Sequence, residues 1–113
     1  MMYEINSYHF SAETFDEYKK WVINEVVPFL RVNFDLVGFW LGNIEPPVLG
    51  GDQLMEPPLG SVNSMWIVRW DSMEERNKRK DEVFGSEEWQ KVYANLPDPD
   101  GYLQYETRFT EGY

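Results

Sequence analysis

The stretch Ser64–Arg76, SMWIVRWDSMEER, reads as a strand that runs straight into a capped helix. Seven β-favouring or apolar positions end at Trp70. Asp71 follows as an N-cap with Glu74 three residues on, and Ser72 with Glu75 offers the same capping box one residue later. An acceptor at that position satisfies orphan helix amides, and the acidic partner suits the positive end of the helix dipole.

Working outward, the same plan recurs upstream. Tyr3 to Phe10 is a strand candidate with neither face cleanly polar, as for a strand covered on both sides. Ser11 caps a long helix whose apolar positions Phe15, Tyr18, Val22, Val26, Phe29 and Leu30 follow helical spacing. Pro28 predicts a kink or break just before it, and the helix ends near Asn33. Leu36 to Leu41 forms the second strand, with Gly38 and Gly42 bracketing Phe39 and Trp40. After it comes Asn43 to Asn63, a Pro- and Gly-rich loop holding two Glu-Pro-Pro segments, longer than compact domains usually keep without a use.

Downstream of the anchor, Gly85 reads as a helix stop and Ser86 as the cap of a short helix with a Trp89, Val92, Tyr93, Leu96 stripe. Pro97-Asp98-Pro99-Asp100-Gly101 is a turn, and Tyr102 to Phe109 the last strand. On that strand Leu103, Tyr105, Thr107 and Phe109 share one face, and Tyr102, Gln104, Glu106 and Arg108 the other. The order β-α-β-β-α-β is the ferredoxin-like plan of the α+β class, one sheet of four antiparallel strands with helices on one face.

At 113 residues the chain, 1–113, makes one domain. Five Trp, seven Tyr and seven Phe exceed what so small a core hides, so a partner subunit or a ligand pocket is expected to bury the rest. A net charge of −10 argues against nucleic acid as a partner. The basic run Lys78-Arg79-Lys80, set among Glu74, Glu75, Asp81 and Glu82, reads as the solvated face of a helix. With no cysteine, disulfides, thiolate metal sites and cysteine nucleophiles are excluded. The opening MMYEINSY lacks a basic and apolar leader pattern, and no stretch approaches membrane-spanning length. A soluble cytoplasmic protein without membrane partners is the expectation.

The segments YEINSYHF, VVPFL, LVGFW, IVRWDSMEER and GSEEWQ resemble, in that order and across nearly the whole chain, the NIPSNAP-like branch of the dimeric α+β barrel superfamily. The long Asn43–Asn63 loop departs from that pattern, as does Asn6 where a basic residue is expected. The resemblance implies a homodimer whose sheets pack face to face into a barrel. It implies no one chemistry, since the superfamily spans cofactor-free oxygenases, lactone isomerases and haem-dependent enzymes.

His9, the one histidine, is a candidate general base, or else a strand-end histidine half in solvent. Arg69 shares its face with Met65 and Ile67, away from Trp66, and is either paired or aimed at an anion; Glu106, Arg108 and Glu4 are its candidate partners. Tyr8, with Trp40, Trp66, Trp70 and Tyr105, either lines a pocket for a flat ligand or fills core and interface. Glu106 joins the pocket candidates, and Tyr8 joins His9 and Arg69 as a candidate catalytic group. No phosphate loop, metal-ligand spacing or nucleophile elbow is present, and no cofactor is expected. Two functions remain open. One is a cofactor-independent enzyme (oxygenase, isomerase or lyase) acting on a small apolar or aromatic molecule in a pocket between sheet and helices, roofed by Asn43–Asn63. The other is a non-catalytic ligand-binding or assembly protein of the same fold.

Overall fold

The structure, a computed structural model, describes residues 1–113. Its strands are β1 (Met2–Phe10), β2 (Leu36–Leu41), β3 (Ser64–Trp70) and β4 (Tyr102–Glu111). They form one antiparallel sheet in the order β2-β3-β1-β4, the ferredoxin-like arrangement. The helices are α1 (Phe15–Trp21), α2 (Val27–Asn33), α3 (Met73–Phe84) and α4 (Glu87–Tyr93). No helix is long and apolar enough to cross a membrane.

Period-two burial on β3 decides which face the helices cover. Ser64, Trp66, Val68 and Trp70 are buried, whereas Arg69 is exposed and Met65 and Ile67 are half-buried on the opposite, open face. β1 lies alongside in the same phase, with Glu4, Asn6 and Phe10 buried. Against this face α1, α2 and the turn between them bring Tyr18, Trp21, Val22, Val26 and Leu30, and Val83 of α3 and Leu96 just past α4 add to them.

The predicted break before Pro28 takes a specific form. Val22–Val26 is a π-helical turn, closed by the Val27 N–H bonding the Val22 carbonyl, and Pro28, which has no N–H to donate, follows directly in α2. Tyr18, Val22, Val26 and Leu30, four residues apart, all reach the core on one side of this helix. At α3 the cap is Ser72, whose Oγ accepts from the Glu75 N–H at 3.1 Å, rather than Asp71.

β4 carries one correction. A register shift between His9 and Phe10 sets Tyr102 opposite Phe10, so Tyr102 lies with Tyr8, Phe10 and Tyr18 on the helix side instead of alternating onto the open face. Gly101 is required there, since a Cβ would sit 2.3 Å from the Phe10 ring.

The Asn43–Asn63 loop is tied at its base. Gly42 N–H bonds the Asn63 carbonyl at 2.7 Å, and the Asn63 side chain clasps the Phe10 backbone, accepting from its N–H and donating to its carbonyl. Beyond that base Ile44, Val48, Leu54 and Met55 are exposed and none of the core comes from the loop. It projects as an arm, and the radius of gyration of 15.2 Å exceeds the roughly 13 Å of a compact chain this long.

Candidate functional site

A cavity of about 450 Å³ opens between the sheet and the helices, within the range of small-molecule sites. Its floor is the helix face of the sheet, where Asn6 and Tyr8 of β1 lie beside Phe39, Trp66, Tyr105 and Thr107. Tyr18, Trp21, Val22, Val26 and Leu30 form one wall; Lys80, Phe84, Trp89 and Tyr93 form the other, and Tyr102 closes one end.

The strand period aims Asn6 and Tyr8 the same way, and the β1–β4 register sets Thr107 beside Asn6 and Tyr105 beside Tyr8. The Trp66 indole N–H donates to the Tyr8 hydroxyl oxygen at 2.7 Å. An indole only donates, so that oxygen is an acceptor here and the Tyr8 proton stays free to donate. Burial pushes the Tyr8 phenol well above its ordinary value, the Trp66 bond only partly opposing it. At neutral pH the Tyr8 phenol stays protonated and serves as a hydrogen-bond donor, not a base. Thr107 Oγ1 donates to Asn6 Oδ1 at 2.9 Å, and Asn6 Nδ2 is buried with no partner.

Behind this pole lies a buried ion pair. Glu4, 2% exposed, accepts from Arg76 Nε at 2.8 Å and from Trp70 Nε1 at 3.2 Å. Arg76 is held over the Phe109 ring. Lys80 stands one helical turn beyond Arg76 on the same face of α3 and lines the cavity without an ion-pair partner. Burial first, then the Arg76 charge, draws its ammonium below the ordinary lysine value, with Glu4 and Asp81 opposing.

Of the candidates from sequence, Tyr8, Trp66 and Tyr105 come together in this cavity. Trp70 is packed edge-on against Phe34 in the core. Trp40 lies on the open face, its ring over Gly38, where a Cβ would meet it at 2.9 Å. His9 and Glu106 also sit on the open face, away from the cavity; His9 Nδ1 is buried without a partner and Glu106 pairs with Arg108 at 3.1 Å. Arg69 Nε is bonded to Asp35 at 2.8 Å, a partner the sequence reading did not name. Glu4 cannot serve Arg69, because it faces the helices and Arg69 does not. No residue of Asn43–Asn63 lines the cavity, so the expected roof is absent: the loop leaves from the joined ends of β2 and β3, tied at Gly42 and Asn63. Asn6 and Lys80 were missed. The helical spacing of Arg76, Lys80 and Phe84 could have found Lys80, since an i, i+4, i+8 series with an aromatic end marks an inward face. No three or more His, Cys, Asp or Glu side chains are grouped to hold a metal ion.

No family model and no curated protein matches the sequence. Solved structures do. Over 100% of this chain and 95% of the other, the fold superposes on an uncharacterised NIPSNAP-domain protein of Burkholderia xenovorans with a TM-score of 0.72 at 18% identity. The chain is NIPSNAP-like in fold. A NIPSNAP-family protein of unknown function from Agrobacterium tumefaciens gives a TM-score of 0.71 at 20% identity, covering 97% of this chain and 86% of that one. An ethyl tert-butyl ether D (EthD) family protein of Bacillus halodurans matches more loosely, with a TM-score of 0.52 at 13% identity and full coverage of both chains. The NIPSNAP-like fold thus accounts for the sheet order and the placement of helices on one face, and at these identities for nothing more.

Proposed function

We propose that the chain is a cofactor-independent enzyme acting on a small apolar or aromatic molecule in the cavity between sheet and helices, with Tyr8 as the hydrogen-bond donor to the reacting oxygen. The observation that carries this reading is the Tyr8 hydroxyl. It is half-buried among aromatic walls, its oxygen is held by Trp66, and its proton is unclaimed. A donor so placed stabilises negative charge developing on a substrate oxygen, as in oxygenase, isomerase or lyase chemistry that passes through an enolate or phenolate. His9 and Arg69 have no part in it. Turnover of aromatic ketones, lactones or acidic phenols tests the proposal. Tyr8→Phe should lower kcat by about 10²–10³-fold, far more than it weakens ligand binding, while His9→Ala changes neither; loss of turnover in His9→Ala with Tyr8→Phe intact would sink it.

The open sheet face favours a homodimer alongside either function, enzyme or non-catalytic binding protein. Ile5, Met65, Ile67 and Trp40 lie together there, and Trp40 is 46% exposed. Sedimentation of Ile67→Glu should give a monomer where the parent is dimeric; an unchanged dimer moves the interface elsewhere.

A further inference from the structure

Building on the cavity as a ligand site, we propose that its ligand carries an anionic oxygen, a carboxylate or an ionised acidic phenol, held by Lys80, Tyr8 and Asn6. In the cavity lining the Tyr8 hydroxyl and the Asn6 amide each have their oxygen engaged and a donor left over. The Tyr8 hydroxyl oxygen is already taken by Trp66, which leaves its proton. Thr107 occupies Asn6 Oδ1 and leaves Nδ2 buried, 3% exposed as a residue, with no partner. An orphan donor at that depth costs free energy unless something accepts from it.

The charge points the same way. Lys80 is the one ionised side chain in the lining, and no carboxylate pairs with it. The neighbouring carboxylate, Glu4, is already held by three bonds from Arg76 and Trp70. Glu4, Arg76 and Lys80 together leave one positive charge in excess, in a protein whose net charge is −10. A cation kept partly out of water, without its own counter-ion, matches an anion brought by the ligand. The rest of the lining is aromatic and aliphatic and fits a flat apolar body behind that oxygen.

Calorimetric titration of the full chain with naphthoate and with its neutral amide, naphthamide, separates this claim from the one it rests on. Naphthoate should bind about tenfold more tightly or better. Lys80→Met should erase that preference and leave naphthamide affinity intact, Lys80→Arg should restore it, and Tyr8→Phe should reduce it in part. Equal binding of the two probes to the parent overturns the anion claim and leaves the cavity as a ligand site. Binding of neither removes both. Arg69→Met, on the other sheet face, should change nothing; loss of the naphthoate preference there, with Lys80→Met unaffected, would place the anion on the open face and overturn the assignment.

Discussion

Tyr8 and Lys80 show how position outweighs residue type. Tyr8 could be named from sequence as one of several aromatics, but its role as a donor comes from the Trp66 indole 58 residues away. Lys80 looked like part of a solvated basic run, and only the packing of α3 turns it inward. Tyr8, Tyr18 and Tyr102 are all pushed above their ordinary value, chiefly by burial. A raised folded-state value means the stability these phenols lend is whole below the unfolded value of 10.0 and is lost as pH climbs beyond it. Tyrosinate absorbance and far-UV circular dichroism should therefore show a late ionisation step that coincides with alkaline unfolding; a late step completed with native dichroism would contradict it. The Glu4–Arg76 pair supplies a second residue-scale test. Arg76→Met leaves a carboxylate buried with Trp70 alone and should cost about 3–5 kcal/mol in urea denaturation, with Glu4→Gln recovering part of the loss in the double variant.

Element ends were legible where the chemistry is local. A strand period of two, a capping serine and a proline in a first turn all act within a few residues, so β3, the start of α3 and the break before α2 could be read directly. The choice between Asp71 and Ser72 could not, because both capping boxes satisfy the same rule and only backbone direction decides which oxygen reaches an amide. Ser72→Ala should lower stability by about 1 kcal/mol, and Asp71→Ala by less, since Asp71 makes no capping bond; equal losses in thermal melts would reverse that assignment. The β4 faces were misread for a related reason. The shift between His9 and Phe10 arises where two strands meet, so alternation counted along β4 alone carries Tyr102 to the wrong side.

At the scale of the whole molecule, the arm is separable from the fold. Its ends meet at Gly42 and Asn63, and it contributes no core residue. Replacing its interior by a four-residue turn should leave the chain folded and gain roughly 1 kcal/mol from the shorter closure; loss of cooperative unfolding would mean that the arm packs against something the monomer needs. Local periodicity and punctuation, which act through neighbouring backbone geometry, determined the element order and hence the NIPSNAP-like sheet. What only the tertiary structure decided was the site. Which face of each strand the helices cover put Tyr8, Trp66 and Tyr105 together and left His9, Arg69, Trp40 and Glu106 on the other side. Residue spacing along one strand shows which side chains share a face, but which face meets the helices depends on how distant segments bury apolar surface against each other.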